Sequence, residues 1–222
     1  MLRNIDLNDI SDGRYYGLND MVKVGCHDCE GCSACCQNMG DSIKLDPYDI
    51  HRLSQGLGQT FEEMLDQSIE LHIVDGMILP NLKMAGERPQ CTFLDYAGRC
   101  SIHPYRPGFC RIFPLARVYE NRDFKYILQI AECHKQDRYD VRLKHWIDTP
   151  EPGKNAKFIN DWHYFLKDIG RKLTILTPKS AAEVRTYVLK LFYAAPYHDK
   201  LDFYGQFDAR MRKAREALAA LL

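Results

Sequence analysis

Five cysteines fall within eleven residues of this chain, at Cys26, Cys29, Cys32, Cys35 and Cys36, and four more follow at Cys91, Cys100, Cys110 and Cys133. A disulfide framework fits them poorly. The count of nine is odd, and a chain of 222 residues can bury a core large enough to dispense with staples. Crowded reduced thiols are more often metal ligands. Cys26-x2-Cys29-x2-Cys32-x3-Cys36 has the spacing of the bacterial ferredoxin run, with Gln37 where that run has proline. Two-residue gaps on a tight loop bring thiols to one face and let backbone N–H groups point at the sulfurs, which suits an iron–sulfur cluster or a zinc knuckle. Cys35 and Cys36 are adjacent, so their side chains diverge. They serve different metals, or one is a ligand and the other a packed or reactive thiol. Two other readings stay open: buried cysteine as a small hydrophobe, and a redox relay through transient disulfides.

His27, His103 and His134 each stand beside a cysteine and are second-rank candidates to replace a thiolate; the other histidines show no ligand spacing. From Arg88 to Arg117 the chain has five arginines and one acid, Asp95, within a sequence whose thirty basic and thirty acidic residues otherwise cancel. Arg106 and Arg111 bracket Cys110. They are candidates to offset the charge of about −2 that four thiolates leave on zinc or on an oxidised cubane, or to hold a substrate carboxylate or phosphate. The neutral balance gives no support to nucleic-acid or membrane-surface binding. No stretch approaches the roughly 18 apolar residues of a membrane span. Acids occupy the N-terminal segment where an export signal has its apolar run, so the expected setting is cytoplasmic.

The fold expected is α+β: an irregular cysteine-rich core with short hairpins and helices over residues 1–150, then a helical cap over residues 151–222. Residues 1–25 read as an irregular lead-in with a few strand-like pieces. Asp46-Pro47 starts a helix running to about Gln55, and Thr60-Phe-Glu-Glu63 reads as a capping box. Two apolar runs around Asp75-Gly76 predict a hairpin, and Leu115–Tyr119 with Phe124–Ile130 predicts another. The Thr149-Pro-Glu-Pro-Gly153 breaker cluster precedes helical patterns at Ala156–Lys172, Lys179–Ala194 and Phe207–Leu222. The last ends apolar enough to pack on this chain or on a protein partner.

Cys29-Glu-Gly-Cys32-Ser-Ala-Cys35-Cys36 resembles the CxxCxxCC signature of the YkgJ-like cysteine-cluster family, described as zinc- or iron-chelating. Cys91-Thr-Phe93-Leu94, Cys100-Ser-Ile102-His103 and Arg106-Pro107-Gly-Phe-Cys110-Arg111 with Phe113-Pro114 look like its later block. The likeness covers roughly residues 26–135. It implies Cys29, Cys32, Cys35, Cys36, Cys91, Cys100 and Cys110 as metal ligands, with Cys133 as an eighth. Cys26 lies outside the signature, though it completes the ferredoxin-like spacing.

Three functions follow from these patterns. One is an iron–sulfur protein, expected to carry a 4Fe-4S cluster in electron transfer, sensing or a cofactor role, with zinc as the alternative metal. Another is an enzyme like flagellin lysine N-methylase, a relative of the family; it would need S-adenosylmethionine, yet the chain has neither a glycine-rich strand-to-helix turn nor a CxxxCxxC run. The third is an interaction module in which metal ties loops together and the C-terminal helices dock a partner. No GxxxxGK[ST], HExxH or GxSxG occurs, and whether the chain is an enzyme stays open.

Overall fold

The computed structural model describes residues 7–29 and 32–219. Residues 1–6, the Glu30-Gly31 step within the cysteine run, and the last three residues of the expected Phe207–Leu222 helix lie outside the described residues.

A short turn of helix, α1 (Leu7–Ile10), leads into β1 (Met21–Gly25). Helix α2 (Pro47–Leu57) begins as its sequence dictates: Pro47 fills the first turn, and the Asp46 and Asp49 side chains each accept the other's backbone N–H. Gly58, in the left-handed region, closes it. Thr60 and Glu63 cap α3 (Phe61–Gln67) in the same reciprocal way.

The hairpin expected around Asp75-Gly76 is formed by β2 (Ile69–Val74) and β3 (Met77–Leu82). Asp75 and Gly76 both have positive φ, as a two-residue turn matching strand twist requires. Two-residue strands β4 (Met84–Ala85) and β5 (Gln90–Cys91) follow, then the one-turn helix α4 (Gly108–Ile112). The second hairpin, β6 (Leu115–Glu120) with β7 (Asp123–Leu128), turns at Asn121-Arg122.

One pairing had no sequence signal. β8 (Tyr139–Arg142) runs antiparallel to β1, and the two join chain segments on opposite sides of the cysteine run and the later block. Gly25 lets the Tyr139 ring lie close over β1, since a β-carbon there would stand 2.5 Å from that ring and make it shift. Among the described residues every sheet is a two-stranded ladder, so the doubly wound sheet that commonly carries S-adenosylmethionine is absent from them.

After α5 (Leu143–Ile147) the chain is helical: α6 (Pro152–Leu173), α7 (Pro178–Leu189) with a wider π turn over Lys190–Ala194, and α8 (Phe203–Ala217). Two of these start earlier than the periodicity indicates. Pro152, read as a breaker, is the first residue of α6, where its missing N–H costs nothing. Asp202 accepts the Gly205 N–H at 2.8 Å and starts α8 ahead of Phe207. The chain is therefore α+β, an irregular cysteine-rich part with short hairpins followed by a helical C-terminal region. No described helix is long and apolar enough to cross a membrane.

Aromatic packing holds the helical region. Phe158 meets Phe207 edge-on at 4.6 Å between centroids, and Trp162 lies 4.8 Å from Phe192. The same buried cluster includes Leu45, just ahead of α2, and Leu53, Met64, Ile69 and Leu82 from α2, α3 and the first hairpin. The Tyr193 hydroxyl donates to the Leu45 carbonyl at 3.1 Å, within this shared core. The apolar face of α8 (Phe203, Phe207, Met211, Ala214) is buried on this chain. The cysteine segments are mounted on one side of this frame.

Candidate metal centre

Short backbone ties assemble the cysteine segments. Cys29 ends a 3-10 turn over His27–Cys29, and Cys35 and Cys36 sit in another over Ala34–Cys36. The Asn38 N–H donates to the Pro89 carbonyl at 2.7 Å, and Gln37 bridges to Gln90, so the first run is laid against β5 and Cys91. A tight turn folds the next segment back. The Asp95 carboxylate accepts from Ala97 and Arg99 N–H groups at 2.9 and 2.8 Å, Gly98 takes a positive φ, and Leu94 bridges to Cys100. Arg99 Nη1 reaches the Cys29 carbonyl at 3.4 Å, linking the two segments again. Cys110 is carried by α4.

The outcome is a cavity whose wall includes Cys29, Cys32, Cys35, Cys36, Cys91, Cys100 and Cys110. Arg99, His103 and Arg106 share that wall, and the rest is largely apolar, with Ile43, Leu82, Met84, Leu94 and Ile102. Among the described residues no carboxylate lines it. Soft sulfur donors in a largely apolar wall suit zinc or iron–sulfur chemistry better than magnesium or calcium, which require oxygen ligands. The thiols ring the space and do not meet at a point: among the described residues no three His, Cys, Asp or Glu side chains converge closely enough to hold an ion as they stand.

Burial and neighbouring sulfurs push five of the wall's thiols up. Burial, then a hydrogen bond with Cys26, pushes Cys29 up to about 12. The neighbouring Cys36 thiol and then burial push Cys35 up, and burial raises Cys91, Cys100 and, most strongly, Cys110. Cys35 is the hub, because it lies close enough to add to the upward push on Cys29, Cys91, Cys100 and Cys110 alike. Arg106 opposes the trend at Cys29, Cys35 and Cys100, as a cation beside developing thiolates does.

The other candidates lie elsewhere. Cys26 is buried and touches Cys29, sulfur to sulfur at 3.2 Å, but does not line the cavity. Cys133 and His134 are not on the wall, and His27 packs against the Tyr139 ring. His103 lines the cavity with its Nε2 2.9 Å from Arg106 Nη1. Arg106 faces the thiols, whereas Arg111 does not reach them. Its guanidinium donates to the carbonyls of Arg106, Pro104 and Asp148, at 2.9, 2.8 and 2.6 Å, and so clamps the turn that presents His103 and Arg106.

Two residues escaped the sequence reading. Arg99 belonged to the arginine excess, but its place on the wall depends on the Asp95–Gly98 turn. Asp49 looked like half of a helix cap, yet it also accepts the Gly108 N–H at 2.7 Å, anchoring the start of the turn that carries Cys110. Burial pushes the Asp49 carboxyl up to about 6, and burial together with the Asp49 charge lifts Asp46 well above the carboxylate range.

No curated protein and no solved structure gives a match to this chain. Residues 28–139, just over half of the 222, match the CxxCxxCC family, described as a "putative zinc- or iron-chelating domain", and they span all seven thiols of the cavity wall. By its cysteine run, its later block and this match, the chain belongs to the CxxCxxCC family of zinc- or iron-chelating domains.

Proposed function

We propose that this chain is a metalloprotein whose cavity thiols, Cys29, Cys32, Cys35, Cys36, Cys91, Cys100 and Cys110, hold an iron–sulfur centre of the four-iron type, serving electron transfer, sensing or a cofactor role. The observation that carries this reading is the arrangement of seven thiols around one space. A single zinc ion takes four ligands drawn to one point. A ring of seven spaced sulfurs suits a centre with several metal atoms better. The apolar wall limits water at the sulfurs, and Arg99 and Arg106 supply two positive charges against the net charge of about −2 of an oxidised four-thiolate cubane. Such a centre supplies one-electron chemistry when bound; the chain contributes ligation, charge balance and exclusion of solvent. A cytoplasmic setting is consistent with cysteines that are all free thiols.

Protein purified without oxygen is expected to be brown and to contain iron and acid-labile sulfide in comparable amounts. A colourless product holding zinc and no sulfide rejects the iron–sulfur reading and leaves zinc chelation by part of the same wall. A product free of both metals rejects the cavity as a metal site.

A further inference from the structure

Cys26 has no part in the proposed metal site, and its surroundings suit a different chemistry. It is 2% exposed, it is absent from the cavity wall, and its Sγ lies 3.2 Å from that of Cys29. Two corners of a four-thiolate zinc tetrahedron stand about 3.8 Å apart for Zn–S bonds of about 2.3 Å, so these sulfurs are closer than partners on one ion. The backbone presents them to each other: the Cys29 N–H donates to the Cys26 carbonyl at 3.1 Å, with positive φ at His27 and Cys29. A disulfide bond of about 2.05 Å asks these two sulfurs to approach by roughly 1 Å. Access is one-sided, because Cys29 is half-buried on the cavity wall while Cys26 is enclosed.

We infer that Cys26 and Cys29 form a thiol–disulfide redox pair that exchanges with small-molecule disulfides of the glutathione class. The Cys29 sulfur, giving up its proton as it reacts, attacks one sulfur of the oxidant. That S–S bond breaks, one small thiol leaves, and a mixed disulfide remains on Cys29. The Cys26 sulfur then attacks the Cys29 sulfur and expels the second small thiol. In sum, two protein thiols and one small disulfide become one protein disulfide and two small thiols; two electrons pass to the oxidant, and the two thiol protons end on its products. Cys29 has one sulfur for both roles, so oxidation withdraws it from the cavity. This consequence for the metal rests on the proposed ligand set, whereas the disulfide itself does not.

The test uses the full chain, both metal-loaded and stripped, equilibrated in buffers of reduced and oxidised glutathione, alkylated, and mapped by peptide mass. The expected product is a Cys26–Cys29 disulfide, two hydrogens lighter, in the stripped protein, and loss of metal in step with its appearance in the loaded protein. Cys26→Ser and Cys26→Ala are expected to stall with one glutathione on Cys29 while holding wild-type metal when reduced. Cys26 remaining a free thiol while glutathione accumulates on wild-type Cys29 would overturn the pair. So would loss of metal from reduced Cys26→Ser matching that from Cys29→Ser. If the reduced protein binds no metal, the ligand-set reading fails, and the mass map of the stripped protein still decides this one.

Discussion

The cysteine segments and the helical region are held together by different means. Phe165, Phe192, Tyr193 and Phe207 are among the largest fully buried side chains, all in the helical region, and the hairpin and α2–α3 supply Leu53, Met64, Ile69 and Leu82. None of that set lies in residues 26–42 or 84–110. There the buried apolar residues are Cys26, Cys91 and Ile102, and the fold depends on tight turns, two-residue strands and arginines that clamp carbonyls. Conformational entropy costs about 1–2 kcal/mol per ordered residue, and a segment with so little apolar burial has little to set against it. Cys91 and Ile102 join the shared core, with Cys36, Met39, Met84 and Phe93 packed against it, and under the proposed function metal–thiolate bonds add to this and couple ligation to folding. On that proposal one region is ordered by the hydrophobic effect and the other largely by its ligand.

Several experiments sharpen or break this contrast. Phe207→Ala removes an aromatic ring from the shared core and is expected to lower stability by about 3–5 kcal/mol, read from urea midpoints, while metal per folded molecule stays at the wild-type level. A matching loss of metal from the folded fraction would mean that the two regions are not energetically distinct. Cys35→Ser strikes the hub of the wall and is expected to weaken metal binding on the order of 100-fold or more, beyond the usual second-shell effect, with the stability of α6–α8 unchanged.

Asp49→Ala leaves the Gly108 and Asp46 N–H groups without acceptors, at a cost of about 1–3 kcal/mol, and is expected to lower metal content by loosening α4. Asp49 also predicts a pH dependence. Its folded value of about 6 lies above the unfolded carboxyl value of about 4. The stabilisation from its protonated form is therefore complete below about pH 4 and disappears as pH rises through about 6. Urea unfolding of metal-free protein should show stability falling across that window, with a shallower fall in Asp49→Asn. The smallest effect is expected at Cys133→Ser, off the cavity wall, with metal content and urea midpoint both at wild-type values. A clear loss of metal there would add an eighth ligand to the wall.

Local chemistry was the most legible part of the sequence. Asp46-Pro47, Thr60–Glu63 and Asp75-Gly76 each encode an element within a few residues, because caps and two-residue turns are satisfied by their neighbours. Pro152 and Asp202 were harder to read, since a proline or an aspartate reads as a loop residue or as the start of a helix until the following turns are placed. The β1–β8 pairing left no local trace; its register depends on Val22, Val24 and Leu143 entering a core formed by distant segments. For the site, spacing and family likeness singled out the thiols but could not separate Cys26 from Cys35. That separation is tertiary: Cys35, on the 34–36 turn, lines the cavity, and Cys26 does not. Arg106 and Arg111 looked equivalent beside Cys110, yet one faces the sulfurs and the other is taken up by backbone carbonyls, a difference set by how the 103–106 turn docks.

Hydrogen exchange read by mass spectrometry, on metal-loaded and chelator-stripped protein, measures this contrast directly. Stripping is expected to erase protection in residues 26–42 and 84–110 while α6, α7 and α8 exchange as before. Equal protection of those cysteine segments with and without metal, or loss of protection spread evenly over both regions, would contradict the account.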